Sequence, residues 1–164
     1  MTGPVSRDSE SNLSESLSEP KEFFHRFVIL RHDAGPDLVR TTSPHLDWMF
    51  ETGNALSTWS TDLVSTFDRS FALPCSVLAD HRLVYLNREG DLGNGRGSVK
   101  QIIAGEFRPL EVNPAGCLFK AVLRWHDHRG LCFARLEIGQ RAVDSDCGRA
   151  ESRSVCGLRF SVGR

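Results

Sequence analysis

The feature that most constrains this chain is a series of short apolar stretches, rich in β-branched and aromatic residues, cut apart by Gly, Asp, Asn or Pro. FVILRHD, HLDWMFE, ALSTWST, CSVLAD, HRLVYLN, VKQIIAGEF, GCLFKAVLRW and LCFARLEI each have the length of a strand and none has the length of a good helix. In HLDWMFE, Leu46, Trp48 and Phe50 alternate with His45, Asp47, Met49 and Glu51, so an extended segment would carry one apolar and one mostly polar face. Gly53-Asn54 then marks a hairpin turn into ALSTWST. The fold expected is mainly β, a compact closed or partly open barrel of about six to eight strands with one or two short helices. The helical alternative is confined to TDLVSTFDR, residues 60–69, where Asp62 offers an N-cap.

Composition divides the chain. Residues 1–20 hold six serines, two prolines and one Arg against four acids, a composition too poor in apolar surface to fold independently. We expect an N-terminal arm over 1–22, a barrel domain over 23–140, and a C-terminal tail over 141–164 in which VCGLRFSV can form one last strand. The arginines of that tail, Arg141, Arg149, Arg153, Arg159 and Arg164, are placed to brush a nucleic-acid backbone or to be solvated. No apolar run reaches membrane-spanning length and the N-terminus lacks a secretory pattern, so a cytoplasmic location without membrane association is expected. The five cysteines, Cys75, Cys117, Cys132, Cys147 and Cys156, include no C-x-x-C pair, which favours buried thiols over a disulfide framework or a zinc ribbon.

Chemistry concentrates in His45-x-Asp47, with His32 on the preceding strand. On a strand, residues two apart share a face, so His45 and Asp47 would offer a nitrogen and an oxygen to one point, and His32 would add a third ligand. Two imidazoles and a carboxylate form a mixed set suited to Mn, Fe or Zn, with positions left open for water or substrate. Asp80-His81-x3-Tyr85 adds a second imidazole and phenol pair. Asp33 and Asp80 adjoin site histidines and are candidates to orient an imidazole. Gly90-Asp-Leu-Gly-Asn-Gly-Arg-Gly97 lacks the Gly-Lys-Ser/Thr of a P-loop and reads as a flexible connection between strands.

These segments together resemble the 3′-phosphoesterase module of bacterial DNA ligase D and its stand-alone relatives. FVILRHD, HLDWMFE and LADHRLVYLNREG follow the order and content of that family's three short motifs over residues 27–138. The resemblance implies a β-barrel that binds Mn²⁺ and removes a terminal 3′ ribonucleotide or 3′-phosphate from DNA or DNA/RNA primer-template ends. It implies His32, His45 and Asp47 as metal ligands, and His81 and Tyr85 as the residues that engage the scissile phosphate. It also implies a partnership in trans with a ligase or polymerase, since neither module fits in 164 residues, and a monomer is expected.

The chain departs from the family at phosphate-binding positions. Met49 stands where the family has an arginine and Leu73 where it has a basic residue, and the Pro-Lys-Gly stretch after Trp59 is missing. Lys100, Arg82 and Arg96 are the cations available to compensate. A catalytically degenerate module that binds nucleic-acid ends or a repair protein is therefore the second expectation. A third is a non-haem iron oxygenase, with His126 or His128 completing a facial triad on His45 and Asp47, and Arg159-x-Ser161 binding an oxo-acid.

Overall fold

The structure, a computed structural model, describes residues 25–38, 41–111, 117–140 and 156–163. The N-terminal arm lies outside the described residues, as do Arg141, Cys147, Arg149, Arg153 and Arg164. Nine strands form: β1 (His25–Ala34), β2 (His45–Thr52), β3 (Ala55–Thr61), β4 (Phe71–His81), β5 (Gly90–Asp91), β6 (Gly97–Pro109), β7 (Cys117–Asp127), β8 (Gly130–Gln140) and β9 (Cys156–Val162). Their order is β1-β2-β3-β4-β9-β8-β7-β6-β5, and β1 also pairs with β6. Eight strands thus close an antiparallel barrel, with β5 appended to β6. Among the described residues there is no α-helix, and no helix is long and apolar enough to cross a membrane.

Alternation fills the barrel. Phe27, Ile29, Trp48, Phe50, Phe107, Leu123, Leu136, Ile138 and Phe160 are all at most 1% exposed and belong to one interior cluster. Phe50 meets Phe107 edge-to-face at 5.3 Å, and the Trp48 indole N–H donates to Thr61 Oγ1 at 2.9 Å.

A second apolar cluster lies on the outside of the barrel. Val28 and Leu30 of β1, Met49 of β2, Leu56 of β3 and Val99 of β6 are covered by Leu86 and Leu92, with Leu83 and Tyr85 packed against them. The alternation in HLDWMFE therefore does not separate a buried face from a solvated one: every residue from His45 to Phe50 is buried. The cover is the segment HRLVYLN, which forms a 3₁₀ turn at Leu83–Asn87 rather than the strand its composition suggested, because Leu86 must reach down onto the outer face of the sheet.

Three other expectations change. Residues 62–70 form no helix and Asp62 caps nothing; Phe67 and Phe71 instead pack on Trp48 at the barrel end, with ring centroids at 5.8 and 6.4 Å. The C-terminal strand β9 is inserted between β4 and β8, so it belongs to the barrel and not to a tail. Cys75 and Cys156 face each other across β4 and β9 and are joined as a disulfide, where buried thiols had been expected; Cys132 is a free cysteine.

Candidate metal centre

The antiparallel register of β1 and β2 sets His32 opposite His45 and Leu30 opposite Asp47. Paired residues of an antiparallel ladder point to one face, so the cross-strand partner supplies what the i, i+2 pair lacks. His32, His45 and Asp47 are 5%, 5% and 2% exposed, and one ligand atom from each lies within 4.8 Å of the others. They continue the outer face that carries Val28, Leu30 and Met49, so the centre sits on the outside of the barrel and not in its interior.

The hydrogen bonds fix which nitrogen of each ring donates to a backbone carbonyl. His32 Nε2 lies 2.9 Å from the Arg96 carbonyl and His45 Nδ1 lies 2.9 Å from the Ser43 carbonyl. A carbonyl only accepts, so each of these nitrogens carries the proton. The remaining nitrogens, His32 Nδ1 and His45 Nε2, face Asp47 Oδ2 at 3.4 Å and Oδ1 at 3.6 Å. Two imidazole nitrogens and a carboxylate thus converge in a buried site. Donors about 2.1 Å from one ion lie about 3.0–3.4 Å apart, so the three ligand atoms, at 3.4 and 3.6 Å and all within 4.8 Å, would suit a divalent cation once the side chains draw together on it. A metal-ligating histidine usually donates its other N–H to a carbonyl or carboxylate, as both rings do here.

The carbonyl that orients His32 is held by a backbone clasp. Gly93, Asn94, Gly95 and Gly97 have φ of 72°, 53°, 62° and 92°, a conformation that glycine adopts without steric cost. Asp37 N donates to Gly95 O at 3.0 Å. A Cβ on Gly35 would lie 2.1 Å from Gly95 O, and one on Gly97 would lie 2.0 Å from Asp33 O. The glycine-rich segment, expected as a flexible connection, is therefore packed backbone to backbone against the β1–β2 connection and aims the Arg96 carbonyl at His32.

Other candidates fall elsewhere. His81 and Tyr85 come together, their rings at 5.2 Å and 88°, and His81 Nδ1 donates to the Ala79 carbonyl at 2.9 Å. His81 is opposite Leu56, which is opposite Glu51. That places the pair on the same outer face as Asp47 but four residues along the strand and two strands across, roughly 16 Å away between backbones. Met49 and Thr58, both buried, lie between. Asp33 accepts from Arg31 Nε at 2.9 Å and does not orient His32. The Arg96 guanidinium folds onto its own loop, donating to the Leu92 and Gly93 carbonyls. Lys100 pairs in register with Arg31, alternating with Val99, which faces the outer cluster. Arg82 is exposed beside His81, and Leu73 pairs with Leu158 of the interior. His126 is opposite Leu131 on β7 and His128 is in the β7–β8 turn, so the third ligand to His45 and Asp47 is His32. The orienting carbonyls of Ser43, Ala79 and Arg96 left no sequence signal, since every residue carries a carbonyl.

Compared with known proteins, the chain matches no protein-family model and no curated protein.

Proposed function

We propose that this protein is a divalent-metal-dependent phosphoesterase that acts on nucleic-acid 3′ ends, removing a 3′ ribonucleotide or 3′-phosphate during DNA end repair. The observation that carries the reading is the centre itself: two imidazoles, each oriented by a backbone carbonyl, turn their remaining nitrogens onto one buried carboxylate. The similarity of FVILRHD, HLDWMFE and LADHRLVYLNREG to the 3′-phosphoesterase motifs supports it and favours Mn²⁺ as the ion.

His32 Nδ1, His45 Nε2 and Asp47 would hold the metal, which supplies Lewis-acid polarisation of a phosphoryl oxygen and a bound water of lowered pKa. The protein's own contribution is placement. Burial of all three ligands keeps bulk water from their inner side, and the two carbonyls keep each ring from rotating away. His81 directs Nδ1 into the Ala79 carbonyl, leaving Nε2 to face a phosphate oxygen, and the Tyr85 phenol beside it can donate to the same group. The pair lies four residues along the strand and two strands across from the centre, so it would hold a neighbouring phosphate of a nucleic-acid strand while the metal meets the scissile one. A trimmed 3′ hydroxyl is the substrate that a polymerase or ligase acting in trans requires.

One observation favours a second reading, a module that binds ends without cleaving them. Met49 is 1% exposed and packed in the outer cluster, where the family places a phosphate-gripping arginine. Removing such a cation costs on the order of 10³–10⁵ in rate where an arginine finger is lost. The two readings separate on a primer-template with one 3′ ribonucleotide or a 3′-phosphate, incubated with wild type and His45→Ala, with and without Mn²⁺. Mn²⁺-dependent trimming by the wild type, abolished in a folded His45→Ala, is expected. Metal-dependent binding of the end with no change of product length would replace the enzyme by the binding module.

A further inference from the structure

On the far side of the barrel the outward residues of β6 to β9 form a surface of different character. In the order of the closed sheet, β9 lies four strands from β1, so this face is opposite the metal centre. Inward positions such as Leu123, Leu136 and Phe160 belong to the interior, which leaves their neighbours in sequence pointing out. Arg124 is paired with Glu106, and Lys120 with Glu137 at 3.0 Å. Beyond these two pairs the face carries Arg135 and Arg159, and its outward strand positions contribute no further acid. The chain as a whole has a net charge of −1, so the local surplus of positive charge reflects placement and not composition.

Apolar surface is exposed in the middle of this charge. Phe133 and Leu131 are 46% and 49% exposed on β8, among the most exposed large apolar residues described. Phe133 is opposite Arg124, and Arg135, two residues on, is opposite Ser161 of β9. Arg159 is diagonal to Arg135, with Ser161 the next outward residue of its strand. A shallow groove of about 450 Å³ runs between β8 and β9, lined by Phe133, Arg135, Arg159 and Ser161 and by Glu137, which stands opposite Arg159 in register and is ion-paired to Lys120.

We propose that this face binds single-stranded nucleic acid, with Arg135 and Arg159 on consecutive phosphates and a base stacked on the Phe133 ring. Positive charge complementary to a polyanion supplies affinity and salt dependence, and an exposed ring flanked by guanidinium groups is the sequence-tolerant platform on which unpaired bases stack. Duplex DNA offers no free base face to Phe133, and among the described residues the surface presents strands and no protruding element for a groove. The Ser161 hydroxyl, between the arginines, can donate to the same backbone. The surface is independent of the metal centre, and its test leaves the phosphoesterase reading untouched.

The test measures binding of fluorescein-labelled oligo(dT) to the full chain by anisotropy in EDTA across a salt series, with a duplex and polyglutamate as competitors. Arg135→Glu/Arg159→Glu should weaken binding at least tenfold and reduce the log–log salt slope by about 1.4, two phosphates at about 0.7 each. Phe133→Ala should weaken binding about tenfold with the slope unchanged, and Phe133→Trp should retain it. All these side chains are exposed, and circular dichroism melts check that each variant folds. Absence of binding, indifference to the substitutions, loss with Phe133→Trp, or stronger competition by duplex or polyglutamate would each overturn the proposal, the last pointing to an acidic protein partner.

Discussion

Each histidine of the centre has two nitrogens, and the chemistry depends on which one carries the proton. His32 donates from Nε2 and His45 from Nδ1, so a metal would be bound through Nδ1 of one ring and Nε2 of the other. This is open to direct measurement. Long-range ¹H–¹⁵N spectra of the metal-free protein should show a pyridine-like Nδ1 in His32 and a pyridine-like Nε2 in His45, and added Zn²⁺ should shift those two nitrogens most. Opposite tautomers would remove the argument for a cation. Asp47→Asn, which keeps the shape and removes the charge, should weaken metal binding at least tenfold by calorimetry. The spacing of His45 and Asp47 was readable because a strand repeats every two residues. Met49 was legible as a departure from a motif, but its burial was not, because that follows from a segment more than thirty residues away that covers it.

At the scale of elements, the connections carry information that the strands do not. The strands follow from local alternation, and β1 to β3 lie where that pattern places them. The 3₁₀ turn at Leu83–Asn87 looked like a strand because a short apolar run fits either state; contact with the outer face of β1 decides it. The glycines of 90–97 look like slack, whereas Gly97, with Gly35 of the facing connection, lets two backbones touch. Gly35→Ala and Gly97→Ala would each drive a Cβ into backbone atoms, at 2.1 and 2.0 Å. Displacement of the Arg96 carbonyl should then weaken metal binding by roughly 10–100-fold, with about 1–3 kcal/mol of stability lost. Gly53→Ala, also at positive φ but in open space, should cost stability alone. Calorimetric metal titrations beside thermal melts separate the two effects, and equal metal affinity in all three variants would show that the clasp does not position His32.

For the whole molecule, closure is the main fact, and it depends on β9. This strand joins β4 to β8 and brings Leu158 and Phe160 into the interior. The Cys75–Cys156 disulfide ties its first residue to β4 across 81 residues of sequence. A crosslink that closes so long a loop typically contributes about 2–4 kcal/mol, largely by restricting the unfolded chain. Reduction, or Cys75→Ser/Cys156→Ser, should lower the unfolding free energy by that amount, seen as a lower midpoint in a urea titration. An unchanged midpoint would show that the ladder from β4 through β9 to β8 holds the barrel closed without the crosslink. What the amino-acid sequence determines alone is local: the strand period, the hairpin turn at Gly53-Asn54, and the shared face of His45 and Asp47. What only the tertiary structure decides is long-range: the register that sets His32 against His45, the cover over the outer face, the strand that closes the barrel, and the pairing of two of five cysteines. Alternation is a property of neighbours along the chain, whereas register and closure are settled by which distant surfaces bury each other best.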